Sequence, residues 1–267
     1  LIAAALLRAR ITILLAVAGV ALNGLVVMAT LNTQARTARV GAPTITIGHL
    51  NAQSRSVDVD GLGRYLRTEA FDLFVVLDPK QSDLPRLAEA APGYRVFLNG
   101  SLPGSDHQYV RTVVLTKIAV RNVGHPDDLG FGASAVELTT EGADATSIVV
   151  FGSDSPTTPS RAQHRDRVLD AAARWSRNHS ARRIVMGDFN ATPWSPSFQR
   201  LLHRGGLFNS LDGFGLQVSW PESNVLLRIP IDHALLGPDL AAIDRGTGPA
   251  FGSQHRSLHL TVARRNP

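Results

Sequence analysis

The stretch GDFNATPWSP at 187–196 comes directly after the apolar residues Ile184, Val185 and Met186, and it sets a carboxylate, Asp188, and an amide, Asn190, where a strand leaves a core. Pro193 and Pro196 stiffen the next turn and Ser195 suits a helix start, so an Asx-type turn accounts for the local shape. It does not account for recurrence. Asn51 follows TITIGHL, Asp78 follows FDLFVVL, and His255 stands just ahead of SLHLTVA. Polar groups at strand ends of a sheet-based enzyme commonly converge on one cleft. Carboxylates, amides and an imidazole in a chain without cysteine suit proton transfer and oxygen coordination of a hard divalent cation.

These residues need a sheet framework to position them. After Pro43, TITIGHL reads as a first strand ending at Asn51, a helix follows from Asp58 to Thr68, and FDLFVVL reads as a second strand. YRVFLN, YVRTVVLT, ASAVELT and TSIVVFG read as short strands separated by Gly, Pro and Asp. Ala162, Val168, Leu169, Ala172 and Ala173 keep helical spacing behind a capping box of Ser160 and Gln163. RRIVMG, a helix from about Ser195 to His203, and strands at LQVSW, IPIDHALLG and SLHLTVA complete the pattern. Mixed strands and helices over this length indicate an α/β (α+β) fold with helices covering sheets.

Composition bounds the function. Of 267 residues 44% are apolar, which excludes a disordered chain. The net charge of +5 would suit a polyanion, but the basic residues are almost all arginines scattered along the chain, with only Lys80 and Lys117 as lysines. Nucleic acid is therefore a possible partner and not the favoured one. The absence of cysteine removes disulfides, zinc–thiolate sites and thiol nucleophiles together.

Residues 11–31 carry no charge and, as a helix, span about 31 Å, the thickness of a bilayer core. They read as a transmembrane helix, longer than the apolar region of a secretory signal. Residues 1–10, with LIAAALL before Arg8 and Arg10, read as the tail of a preceding apolar span and a short loop. Residues 32–43 read as a linker and 44–267 as one folded domain. Arg36 and Arg39 nearly balance Arg8 and Arg10, so the positive-inside rule only leans toward a cell-membrane protein whose domain faces away from the cytoplasm.

In the order GHLNAQ, GDFNATPWSP, IDHALL and GSQHRSL, the chain resembles the endonuclease/exonuclease/phosphatase (DNase I-like) superfamily, with GDFNATPWSP the most specific match, and within it the membrane-anchored bacterial type. The resemblance implies two packed, mostly antiparallel mixed sheets flanked by helices, and metal-dependent hydrolysis of phosphate esters. It implies Mg2+ or Mn2+ held by Asn51 and Asp78, proton handling by Asp188, a phosphate-contacting amide at Asn190, and a phosphate-contacting acid–base histidine at His255. Asp232 and His233 match the DH of the penultimate strand in supporting places.

Three positions depart from the family pattern. Asp78 stands where the metal-binding residue is a glutamate, Ser153 is near the slot of a histidine, and Gln254 replaces the aspartate of a Ser-Asp-His motif, which is expected to orient and charge the histidine. Structural explanations stand beside these roles: an Asx turn at 188–190, a strand stop at Asp78-Pro79, a loop histidine at 255, and a buried structural histidine at 233, the last preferred to a catalytic one. The function expected is a membrane-tethered phosphoesterase acting on a lipid-linked or small phosphate ester, weakened by these substitutions. The alternatives are a pseudoenzyme of the same fold that serves as a binding module, and a nuclease.

Overall fold

The computed structural model describes residues 2–31, 33–99, 110–126, 130–132 and 134–266. In chain order the elements are α1 (Ile2–Leu31), β1 (Thr44–Asn51), α2 (Val59–Thr68), β2 (Leu73–Leu77), α3 (Leu84–Glu89), β3 (Arg95–Asn99), β4 (Thr112–Thr116), β5 (Val120–Gly124), β6 (Ala135–Thr140) and β7 (Ser147–Gly152). They continue with α4 (Pro159–Asn178), β8 (Arg183–Asp188), α5 (Pro196–Gly205), β9 (Phe208–Asn209), β10 (Asp232–Leu236), β11 (Leu240–Thr247) and β12 (Leu258–Arg264).

The strands form two six-stranded sheets, ordered β11-β12-β1-β2-β4-β3 and β5-β6-β7-β8-β10-β9. The pairs β1–β2 and β7–β8 are parallel and the other pairs antiparallel, which makes both sheets mixed. Alternate residues of the inner faces, among them Ile47, Val75, Val114, Val150, Met186 and Leu260, fill the space between the sheets. On the outside, α4 and α5 cover the second sheet through Val168, Trp175 and Phe198, while α2 and α3 cover the first through Leu62, Leu66 and Leu87. The expected four-layer arrangement is what the chain adopts.

Several local expectations differ from the structure. The cap of α4 is Thr158, whose side chain accepts from Arg161 N, because Pro159 already holds the φ of a first helical residue and starts the helix before Ser160. LQVSW forms no strand: only Trp220 makes a bridge, to Ile229, since Gly213 and Gly215 turn the chain and Ser219 directs its hydroxyl to the backbone of β10. β11 gives no alternating signal because a bulge interrupts its pairing with β12. At the amino terminus α1 runs unbroken through Arg8 and Arg10, where the sequence suggests a loop. Its segment Arg8–Ala29 has a mean hydropathy of 2.4, is not buried, and is long and apolar enough to cross a membrane.

The segment read as a linker packs against the ends of the strands. The Arg36 guanidinium donates to the carbonyls of Pro238, Leu240 and Gly237 and lies 3.7 Å above the Phe208 ring. Ala38 bridges Arg265 beyond β12.

Candidate active site

Parallel pairing sends the carboxyl ends of β1 and β2, and of β7 and β8, to the same edge of their sheets, so Asn51 and Asp188 end neighbouring strands across the sandwich. β10 runs antiparallel to β8 and begins opposite Asp188, with Asp232 as its register partner. β12 runs antiparallel to β1, which brings the preceding turn, with His255, over the same edge. Gly187 is required here: its φ is +139°, and a Cβ would overlap the Phe151 carbonyl oxygen. The glycine of GDFN thus lets β8 approach β7 closely enough to deliver Asp188.

Asp188 is buried and satisfied on both oxygens. Oδ2 accepts from Asn51 Nδ2 at 2.9 Å and Asn190 Nδ2 at 3.0 Å, and Oδ1 accepts from the Asn190 backbone N–H at 3.0 Å. Asn190, at φ +45°, spends its other amide hydrogen on the Ser153 carbonyl at 2.8 Å. The amide expected to contact phosphate is therefore a brace for Asp188 in this arrangement. Asn51 Oδ1 accepts from Gln53 N, and the Ser253 hydroxyl donates to the Asn51 carbonyl while accepting from His255 N.

The histidine's carboxylate is Asp232, which corrects the expectation placed on residue 254. His255 Nδ1 donates to Asp232 Oδ2 at 2.8 Å, and its Nε2 faces Asp188 Oδ2 at 3.7 Å. Gln254 sits in the turn with its carbonyl accepting from Glu222 N, so a carboxylate at 254 is not needed to charge the ring. Burial opposes a charge on His255, but the Asp232 and Asp188 carboxylates outweigh it and raise the imidazole to about 9. Burial likewise opposes ionisation of Asp232, yet His255 beside it holds that carboxyl below the ordinary range. Burial pushes the Asp188 carboxyl up to about 7, with His255 pulling it partly back. Near neutral pH the site holds an aspartate, an imidazolium and a second aspartate close to its own midpoint.

Two residues at this site escaped the sequence reading. The side-chain Nε2 of Gln53 lies 2.9 Å from His255 Nε2. His49, wholly buried on β1, sets Nε2 3.8 Å from Asp232 Oδ1, and neither of its ring nitrogens has a hydrogen-bond partner among the described residues. Gln53 had a signal, standing two residues after Asn51 in GHLNAQ. His49 stands two residues before Asn51 in the same motif, but a lone histidine in an apolar strand reads as core.

Among the described residues no side-chain hydrogen bond links His233, Ser153 or Asp78 to Asp188, Asp232 or His255. His233 Nε2 donates to the Ala191 carbonyl at 2.8 Å and the ring packs against Phe189 and Phe198. Ser153 contributes its carbonyl to Asn190. Asp78, at φ +44°, accepts from Ser134 Oγ at 2.5 Å and pairs with Arg111 at 3.4 Å, on the wall of a cleft of about 430 Å³ shared with Ser54 and Lys80.

Two sets of groups offer hard ligands. Ligand atoms of Asp188, Asp232 and His255 lie within 4.8 Å of one another. His255 Nδ1 and Asp232 Oδ2 are already committed to each other, so that cluster is better suited to acid–base work. Asn51 Oδ1 and the Asp78 carboxylate are oxygen donors at adjacent strand ends, with Leu77 as the register partner of Asn51. Their chemistry fits Mg2+ or Mn2+, although Arg111 competes for Asp78.

Residues 29–255 match the model of the "Endonuclease/Exonuclease/phosphatase family". No curated protein sequence matches the chain. Among solved structures, an endonuclease/exonuclease/phosphatase family protein from Bacteroides thetaiotaomicron is similar with a TM-score of 0.67 and 15% identity, over 85% of this chain and 99% of that one. A mannosyl-6-phosphatase of the same organism gives 0.64 and 15% over 82% and 99%. D. rerio TDP2 complexed with single-strand DNA product gives 0.62 and 16% over 82% and 98%. At these identities the likeness is one of fold.

Proposed function

The chain belongs to the endonuclease/exonuclease/phosphatase family, and on that premise we propose that it is a membrane-tethered, divalent-metal-dependent phosphoesterase acting on a lipid-linked or small phosphate ester. The observation that carries this reading is the buried array Asp232–His255–Asp188, braced by Asn51 and Asn190. Asp232 keeps His255 protonated. His255 Nε2, now beside Gln53, would turn its proton toward the bound ester, offsetting the charge that develops on the phosphoryl group and passing the proton to the leaving oxygen as its bond to phosphorus breaks. Asp188, with its carboxyl near neutrality, takes the proton of the attacking water. Asn51 and Asn190 hold it in the orientation this requires. When bound at Asn51 and Asp78, Mg2+ or Mn2+ supplies further neutralisation of phosphoryl charge.

The tether favours a substrate at the membrane surface, because anchoring raises encounter with membrane-borne esters. Arg8 and Arg10, nearly balanced by Arg36 and Arg39, lean toward the extracytoplasmic side for the domain. One observation favours a second reading, a pseudoenzyme: Arg111 and Ser134 already occupy Asp78. A panel from bis-p-nitrophenyl phosphate to lipid pyrophosphates and plasmid DNA, with and without EDTA, separates these readings and the nuclease alternative. EDTA-sensitive turnover that disappears in a folded Asp188→Asn variant is expected. A folded wild-type protein inert on every ester moves the assignment to a binding module, and turnover confined to DNA moves it to a nuclease.

A further inference from the structure

The chain that follows the apolar helix joins one end of the sandwich, and the site lies at the other. Leu31 ends α1, and from Thr33 onward the chain is attached to the folded domain: the Thr33 side chain hydrogen-bonds the Asp212 carboxylate, and Ala35 packs where a Cβ on Gly213 would be. Arg36 reaches the carbonyls of Gly237, Pro238 and Leu240, Asn266 N donates to the Thr37 carbonyl, and Arg39 N donates to the Arg264 carbonyl. These partners stand where β10 and β12 end and β11 begins.

The reacting groups occupy the opposite ends of the same strands. Asp232 begins β10, His255 precedes β12, Asp188 ends β8 and Asn51 ends β1, whose first residue, Thr44, pairs with Ala263 beside the docked segment. From Thr44 to Asn51, at about 3.3 Å per residue, the mouth of the site is about 23 Å from that segment.

The link to the span is too short to undo this arrangement. The apolar segment ends at Ala29, so Thr33 stays within about 14 Å of it even were the chain between them fully extended. Turning the mouth onto the bilayer would lift Thr33 and its partners farther than that. Laying the domain on its side would point the mouth along the surface, not into it. The docked end also suits contact with anionic headgroups: Val40 is 100% exposed, and Arg39, Arg264 and Arg265 beside it are exposed.

We propose that the tether holds the mouth of the site away from the bilayer that anchors it, so that the enzyme takes a small, water-soluble phosphate ester and not one seated in the same membrane. This rests on the membrane-tethered phosphoesterase reading above and chooses between its two ester classes. Anchoring raises encounter with membrane-borne esters only for a site that can meet the surface, and attachment at the far end removes that advantage.

Because the chain has no cysteine, Val40→Cys and Leu226→Cys each carry one dye. Val40 marks the docked end. Leu226, 95% exposed, marks the site end, on the turn whose Glu222 N donates to the Gln254 carbonyl next to His255. The 267-residue chain is reconstituted in phosphatidylcholine–phosphatidylglycerol vesicles containing a lipid spin-labelled on its headgroup. Quenching is expected at 40 and not at 226. The same vesicles are given the p-nitrophenyl ester of glycerol phosphate in solution, or its diacylated form in the bilayer, and the diacylated form should be cut at about a tenth of the soluble rate or less. Exchanging residues 33–39 for a Gly–Ser run of equal length frees a link of about 40 Å from 32 to 43, which should bring quenching to 226 and raise turnover of the diacylated ester alone. Equal quenching at 40 and 226 in the unaltered chain overturns the proposal, as does equal turnover of the two esters. Flotation with the vesicles reads the tether and turnover of the soluble ester reads the esterase, so failure of either is distinguishable from a site that faces the bilayer.

Discussion

His255 Nδ1 and Asp232 Oδ2 stand 2.8 Å apart and buried, although 23 residues separate them in the chain. β10 starts opposite the end of β8, and the turn before β12 folds over the end of β1, so two sheets each supply one member of the pair. The immediate neighbour, Gln254, is held by its backbone carbonyl, which accepts from Glu222 N.

Asp232→Asn should therefore lower turnover by about 10²–10⁴-fold, the usual range for a lost acid–base group. Gln254→Asp should leave it near the unsubstituted value. Steady-state kinetics on the first active ester of the panel measure both. A strong gain from Gln254→Asp with no loss from Asp232→Asn would return the role to residue 254.

Stability should peak near pH 6.5. Between 6.5 and about 9 the folded state holds a proton on His255 that the unfolded chain has released, so this contribution is full below 6.5 and lost as pH rises through 9. His49 and His233 act oppositely: burial lowers them to about 4 and about 3, so the unfolded chain gains protons below 6.5 that the folded state refuses. Asp188, raised to about 7, loses stability as pH rises from its ordinary 3.8 and offsets part of that acid limb. Melting temperature measured from pH 4 to 9 in EDTA should show both limbs, with the alkaline one flattened in His255→Gln. A profile flat above 6.5 would contradict the protonated histidine.

Gly187→Ala should prevent folding or lower the melting temperature severely. The clash is with backbone, at the Phe151 carbonyl oxygen, and the positive φ adds strain that a flexible side chain cannot relieve. Expression and thermal unfolding of this variant beside Asn190→Gly, which removes a side chain from the same corner and tolerates its positive φ, test whether the loss is steric.

The sheets and the GDFN corner are legible in the sequence for a physical reason: strand alternation and turn residues are local, and Asp188 and Asn190 act within two residues of each other. Asp232 is visible only as a residue of a motif, because its partner is fixed by strand register, which local patterning does not encode. His49 and Arg245 are not visible at all. Each lies in a strand and is buried by contacts with distant residues, His49 beside Asp232 and Arg245 against Ser210 and Gln217. LQVSW alternates like a strand and is not one, because its hydrogen bonds are taken by a single bridge and by the segment around His255.

The Asp78 carboxylate is divided between Ser134, Arg111 and any bound cation. Arg111 places a positive charge 3.4 Å from the oxygen that would hold the metal, and like charges so close disfavour occupancy. Arg111→Gln should therefore tighten Mg2+ or Mn2+ binding. The readout is the rise in melting temperature with metal, which by mass action corresponds to about 2.7 kcal/mol at one hundred times Kd. Asp78→Asn should abolish that rise and leave the metal-free melting temperature close to that of the unsubstituted chain, because its partners Ser134 and Arg111 are near the surface of the cleft. If Arg111→Gln and the unsubstituted chain respond equally to metal while Asp78→Asn responds as well, the cation is not at β2. The cluster of Asp188, Asp232 and His255 would then be its site, and Asp232→Asn should remove the response.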